Sequence, residues 1–100
     1  MAHVLPDDAL AERIRECVIE LLVQRGAGRT ICPSEVARTL GTRLGCRWQD
    51  LMRPVRTVAA VLIDGGLVEV TQHGRVVDLR EVRGPVRLRL GSLQAQRSPA

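Results

Sequence analysis

Residues 54–79, PVRTVAAVLIDGGLVEVTQHGRVVDL, decide the fold, because a helical pattern ends and a hairpin pattern begins within them. One helix face is marked by apolar residues at i, i+3, i+4 and i+7 spacing: Val55, Val58, Ala59 and Leu62. The pair Gly65 and Gly66 ends the helix, and the valine-rich run 67–72 predicts a strand. His73 and Gly74 predict a tight turn, since glycine supplies a positive φ, and residues 75–79 predict the returning strand.

Two more helices are predicted upstream of this stretch. The first runs from Ala9 to Arg25 behind a capping Asp7 or Asp8, with an apolar stripe of Leu10, Ile14, Cys17, Val18, Leu21 and Leu22. The second follows a short extended piece at Thr30; it begins at Pro33 and stops at Gly41. Because proline is costly inside a helix, residues 48–52 predict a short separate turn, and the third helix is predicted to begin at Pro54.

A final strand is predicted downstream of the hairpin. Residues 86–90 alternate strictly between apolar residues and arginine, which places Arg87 and Arg89 on the solvent side. The order of elements predicts an α+β winged helix-turn-helix, with three main helices followed by a β-hairpin wing and a further short strand. We expect one domain over residues 1–90 and a flexible tail over residues 91–100, where apolar periodicity is absent.

Composition supports one domain and weakens one class of function. The chain has 100 residues, 45% of them hydrophobic and 26% charged, enough for one modest core. All 15 basic residues are arginine, but lysine, asparagine, phenylalanine and tyrosine are absent together, which indicates a GC-rich genome rather than selection for nucleic-acid contacts. Trp48 is the only aromatic ring, which argues against binding of single strands by base stacking.

Several other classes lack their sequence signals. No apolar run approaches the roughly 20 residues of a membrane span, and residues 1–6 do not resemble a signal peptide, so we expect a cytoplasmic protein without a membrane partner. Three cysteines without CxxC spacing argue against both a disulfide framework and a zinc site. His3 and His73 have no ligand-spaced neighbours. Without GxSxG or a P-loop, we expect neither an enzyme nor a cofactor.

Charge distribution favours binding of double-stranded DNA. Residues 1–28 carry three arginines against five acids, whereas residues 29–64 and 65–100 each carry six against three, giving −2, +3 and +3. On the third helix, the residues predicted to enter the major groove are Arg53, Arg56 and Thr57. Arg75 at the hairpin tip is a candidate wing contact. Arg87 and Arg89 are candidate backbone contacts or, alternatively, the polar side of an edge strand.

Two alternatives to DNA binding remain open at this point. Ile19 and Val23 form a second apolar strip on the first helix, which needs cover from the C-terminal strand or from a second subunit. This strip predicts a protein-interaction or structural module on the same fold, and a homodimer is one form of that module. Cys32 stands at the start of the second helix, a position that favours a reactive thiol, although a small residue filling the N-cap is the simpler interpretation.

Four runs resemble the signature of a small bacterial family, the domain of unknown function 3253 family. They are Thr30–Arg38, Trp48 with Leu51 and Met52, Val70–Asp78, and Arg83–Leu88, and the resemblance covers about residues 12–90. The resemblance implies a winged-helix fold in bacterial cytoplasmic proteins, with no established activity and no catalytic residues to transfer. It also implies that Cys32–Glu35 forms one unit at the start of the second helix. His73 stands where relatives are expected to carry a basic residue, which puts a fixed wing charge in doubt.

Overall fold

The computed structural model describes residues 7–91. Its helices and strands, in chain order, are α1 (Asp7–Arg25), α2 (Pro33–Leu44), a 3₁₀ turn (Trp48–Leu51), α3 (Met52–Asp64), β1 (Val68–Gln72), β2 (Arg75–Val76) and β3 (Arg87–Leu90). Three helices followed by a small antiparallel sheet confirm the predicted α+β class and its element order.

Helix α1 buries the apolar stripe that its spacing predicts. Ile14, Cys17, Val18 and Leu22 are buried, while Leu10 and Leu21 are half-buried against the same core. The helix begins at Asp7, two residues earlier than predicted. It ends at Arg25, and Gly26 follows with a φ of 106°, a conformation that glycine adopts without strain.

Helix α2 begins at Pro33 as predicted, but it does not stop at Gly41. Gly41 is buried inside the helix, and a Cβ there would lie 3.0 Å from the carbonyl oxygen of Cys46 and 3.3 Å from the Cα of Trp48. This glycine therefore allows the following turn to pack closely on the helix. The helix ends instead at Leu44, where Gly45 has a φ of 72° and donates its N–H to Gly41 O at 2.8 Å.

Helix α3 begins at Met52, two residues before the predicted start at Pro54. Pro54 lies in the first helical turn, where backbone N–H groups have no intrahelical acceptor, so it does not interrupt the helix. The predicted short turn is a 3₁₀ turn that runs directly into α3. The predicted inward face is confirmed, since its four members are buried: Val55, Val58, Ala59 and Leu62.

The sheet is antiparallel, with β1 between β2 and β3. His73 and Gly74 have φ values of 54° and 80°, which confirms the predicted two-residue turn. The returning strand β2 stops at Val76 rather than at Leu79, because Asp78 begins a new turn. The Oδ1 of Asp78 accepts the Arg80 N–H at 2.9 Å, and the Asp78 carbonyl accepts the N–H groups of Glu81 and Val82 at 3.0 Å.

The wing is therefore longer than the predicted hairpin. After β2 the chain crosses to the opposite edge of β1, where Val70 is paired with Leu88 in β3. We call residues 73–86 the wing. The residue before α2's cap, Ile31, joins the outer edge of β3, exchanging hydrogen bonds with Leu88 of 2.8 and 2.7 Å. The chain runs through α1, the bridging residue Ile31, α2 and α3, and then through β1, the wing and β3. This order makes a winged-helix-like arrangement.

The core lies where the helices meet the sheet. Its largest fully buried side chains come from α1, the bridging residue, α2 and β3: Ile14, Leu22, Ile31, Leu40 and Leu88. Gly91, where the predicted tail begins, is buried and donates its N–H to Leu67 O at 2.8 Å; the rest of that predicted tail lies outside the described residues. None of the helices in residues 7–91 combines the length and the apolar character needed to cross a bilayer.

Candidate nucleic-acid interface

The outward face of α3 carries the residues predicted to enter the major groove. Arg53 and Thr57 are exposed and Arg56 is half-buried, on the side of the helix opposite the buried valines. Val61, which sequence reasoning passed over, lies on the same side and exposes 65% of its surface. The i, i+4, i+8 spacing of Arg53, Thr57 and Val61 aligns them in one row.

Thr57 presents a methyl group rather than a hydroxyl. Its Oγ1 donates to the Arg53 carbonyl at 3.1 Å, one helical turn earlier. This bond turns the hydroxyl toward the helix backbone and leaves the methyl group for the surroundings. Thr57 therefore offers an apolar contact at the centre of the outward face.

Ion pairing separates the arginines of residues 7–91 into two groups. The paired ones are Arg15 with Glu12, Arg25 with Glu35, Arg43 with Glu20, Arg80 with Asp64 and Arg89 with Glu69. Nine have no ion pair within the described residues, and four of these lie on α3, just before it and at the wing tip: Arg47, Arg53, Arg56 and Arg75. Their guanidinium groups keep their hydrogen-bond donors available for an anionic partner.

The two arginines of β3 have partners inside the domain. Arg87 donates to the hydroxyl of Thr30 at 2.7 Å, to its carbonyl at 3.1 Å and to Cys32 Sγ at 2.9 Å. Arg89 pairs across the sheet with Glu69, with 2.9 Å between Nε and Oε1. These contacts fasten β3 to its neighbours, and the prediction that both arginines contact a DNA backbone stays a prediction.

The wing carries one predicted arginine and one that was missed. Arg75 is exposed beside the turn, as predicted, and Arg83 is exposed in the segment of the wing that leads to β3. Gln72 holds this segment in place, because its Nε2 donates to the carbonyls of Arg83 at 2.6 Å and Pro85 at 3.2 Å. The sequence shows Arg83 only as part of an Arg-Gly-Pro run. The contacts of Gln72 show that Arg83 is anchored next to β1.

One arginine before α3 was also missed. Arg47 is exposed and precedes the 3₁₀ turn, which it begins by accepting the Asp50 N–H at 3.1 Å. Asp50 is exposed and has no ion pair within residues 7–91, so it places a negative charge between Arg47 and Arg53. At the other end of the helix, Asp64 is neutralised by Arg80 at 2.6 Å, and this contact raises the pKa of the Arg80 guanidinium.

Trp48 makes a cation–π contact with Arg38. The Arg38 guanidinium lies 4.6 Å from the centroid of its ring, over a surface pocket of about 330 Å³ between α2 and the 3₁₀ turn. The ring is half-buried, so its faces do not form an open platform for nucleic-acid bases.

The three cysteines have different surroundings. Cys17 is buried, and burial raises the pKa of its thiol; Cys46 is exposed. Cys32 is half-buried at the N-cap of α2, beside Arg87, and its reactivity stays a prediction that alkylation at neutral pH tests. Among residues 7–91, no three histidine, cysteine or acidic side chains converge in a way that would hold a metal ion.

A family model described as "protein of unknown function (DUF3253)" matches residues 11–91. The chain belongs to the DUF3253 family. The match confirms the resemblance inferred from the motifs, and it extends from α1 to Gly91, so it includes the helix pair, the α3 row and the wing. No curated protein matches the chain. The DUF3253 description assigns no activity, and a fold by itself does not fix a function.

Proposed function

We propose that this DUF3253 protein is a cytoplasmic winged-helix module that binds double-stranded DNA, acting as a transcriptional regulator rather than as an enzyme. Helix α3 enters the major groove, and the wing contacts the adjacent backbone. The observation that carries the proposal is the placement of arginines without ion pairs: Arg47, Arg53 and Arg56 lie within ten residues, and Arg75 lies at the wing tip.

The chemistry of these side chains supports DNA as the partner. Guanidinium groups bind phosphate oxygens and the O6 and N7 atoms of guanine through paired hydrogen bonds. Each phosphate neutralised releases condensed counterions, so four or five arginines supply a salt-dependent affinity. In this proposal Arg53 and Arg56 meet base edges or phosphates, while Arg47, Arg75 and Arg83 meet the backbone. Arg87 and Arg89 are left out because each is bonded within the domain.

The test is a fluorescence-anisotropy titration of a labelled random-sequence duplex at several salt concentrations. We expect binding at micromolar protein in low salt, with log K falling linearly as log salt rises. Replacing Arg53 and Arg56 by glutamine lowers the affinity at least about tenfold and flattens the salt slope by one to two.

The matched control is Arg13→Gln, which removes an exposed α1 arginine that also has no ion pair within residues 7–91. It should change affinity only slightly. An affinity that does not depend on salt, or an equal loss in the control and the α3 variants, would contradict the proposal.

A second candidate function is a homodimeric interaction module. The observation that favours it is Val23, which exposes 59% of its surface on α1 beside the half-buried Ile19. Sedimentation equilibrium tests it: a dimer that Val23→Asp dissociates supports this function, and a monomer at all concentrations rules the dimer out.

A further inference from the structure

The outward face of α3 ends in an apolar patch rather than in more charge. Three residues at i, i+3 and i+4 spacing form it: the Thr57 methyl group, the half-buried Ala60 and the 65% exposed Val61. We call these three residues the methyl patch. Each member is small, so the patch is low and lies close to the helix surface.

The surroundings of the methyl patch indicate an anionic partner. Arg53 and Arg56 lie one turn before it and have no ion pair within residues 7–91. Asp64, one turn after it, is compensated by Arg80. A patch bordered by available arginines complements a surface in which negative charge surrounds small apolar groups, and the major groove of DNA is such a surface.

Thymine is the base that places an apolar group there, its C5 methyl, whereas guanine offers the O6 and N7 acceptors that arginine binds. We infer that the methyl patch selects duplex sites with thymine methyl groups next to a guanine contacted by Arg53 or Arg56. The inference rests on the proposed DNA binding and adds sequence preference to it. Val61 and Thr57 are then the residues that determine specificity.

The experiment begins with selection of preferred sites from a randomised duplex library by the full chain. We expect enriched sites to contain thymine beside guanine. The best site is then remade with deoxyuridine in place of each thymine, which removes the methyl groups and leaves the hydrogen-bonding edges unchanged. Removing each thymine methyl group that touches the patch should weaken binding about fourfold, as burial of one such group implies.

Two variants connect the preference to the patch. Val61→Ala should bind the thymine site more weakly and lose most of the thymine-over-deoxyuridine difference. Val23→Ala, at a valine of similar exposure on α1, should retain that difference in full. Circular dichroism melting shows whether each variant is folded, and deoxyuridine substitution tests the wild-type protein without any variant.

The outcomes separate this inference from the proposed function. No salt-dependent binding of any duplex overturns both. Binding without enrichment, enriched sites lacking thymine, or equal binding of thymine and deoxyuridine sites overturns the methyl-reading inference and leaves DNA binding standing. A protein dimer that Val61→Ala dissociates also overturns it, because the patch is then an interface between two copies.

Discussion

At the scale of single residues, glycine and threonine have roles that their ordinary propensities do not describe. Gly41 lies inside α2, where alanine is normally favoured by about 1 kcal/mol, yet its missing side chain lets the turn before α3 approach. Thr57 turns its hydroxyl to the backbone and its methyl outward. Both roles depend on particular neighbours four to seven residues away, so composition alone does not indicate them.

Gly41→Ala should destabilise the protein despite alanine's higher helix propensity. The added Cβ would lie 3.0 Å from Cys46 O and 3.3 Å from two backbone atoms of Trp48, so backbone must move. We expect a loss of about 1–3 kcal/mol in the free energy of unfolding, the usual cost of overpacking. Urea unfolding followed by Trp48 fluorescence measures it. Gly65→Ala is the control, because its Cβ would have 3.6 Å of clearance; an equal loss there would refute the close-approach explanation.

The pair of Glu20 with Arg43 should make stability depend on pH. The hydrogen bond from Arg43 lowers the pKa of Glu20 below its ordinary value of 4.5. A carboxylate with a lowered pKa stabilises the fold above its ordinary pKa and loses that contribution as pH falls through the lowered one. Urea midpoints between pH 7 and pH 3 should therefore fall less in Glu20→Gln than in wild type. Glu16→Gln is the control, and an identical pH response in both variants would contradict the assignment.

At the scale of elements, the helix faces and the turn of the hairpin could be predicted, but the length of β2 and the path of the wing could not. The buried face of α3 follows from the spacing of Val55, Val58 and their neighbours, because helical periodicity is local. The length of β2 depends on Asp78 bonding to residues ahead of it, and the path of the wing depends on Gln72 bonding 11 and 13 residues away. The Asp78 contacts are local and the Gln72 contacts are long-range, but neither kind leaves a periodic trace in a sequence.

Gln72→Ala should loosen the wing specifically. It removes two hydrogen bonds to wing carbonyls, each worth about 1 kcal/mol at most in exposed positions. Hydrogen exchange should accelerate at Glu81 and Val82, the wing amides that donate to the Asp78 carbonyl, and stay unchanged in α1. DNA affinity should fall a few-fold because Arg83 loses its placement. Gln24→Ala, at an exposed glutamine of α1, is the control. Unchanged exchange in the wing would show that Gln72 does not anchor it.

Asp50 should oppose DNA binding from the turn before α3. Its carboxylate is exposed between Arg47 and Arg53 and has no ion pair within residues 7–91. Asp50→Asn should raise affinity for duplex DNA about twofold to fivefold in low salt, in line with the roughly 0.5–1 kcal/mol typical of exposed charge interactions. Anisotropy titration of the random-sequence duplex measures it. An unchanged affinity would place this turn outside the interface, and a lowered affinity would contradict the opposing role of Asp50.

At the scale of the whole molecule, the distribution of charge is more informative than its total. The net charge of +4 combines −2 over residues 1–28 with +3 in each of the two later segments. Arg89 is paired with Glu69 and Arg87 is hydrogen-bonded to Thr30, whereas Arg47 and Arg83 are exposed and have no ion pair within residues 7–91. Sequence arithmetic cannot make that distinction, because ion pairs such as Glu20 with Arg43 join different helices.

The most direct test of the account maps DNA onto the protein by NMR. A uniformly ¹⁵N-labelled sample is titrated with a short duplex, and amide shift changes are followed along the chain. We predict changes at Arg47, along residues 53–61 of α3 and at Arg75 in the wing, with the acidic α1 segment 8–20 unaffected. Shift changes confined to α1, or none at DNA concentrations that saturate the anisotropy signal, would contradict the account.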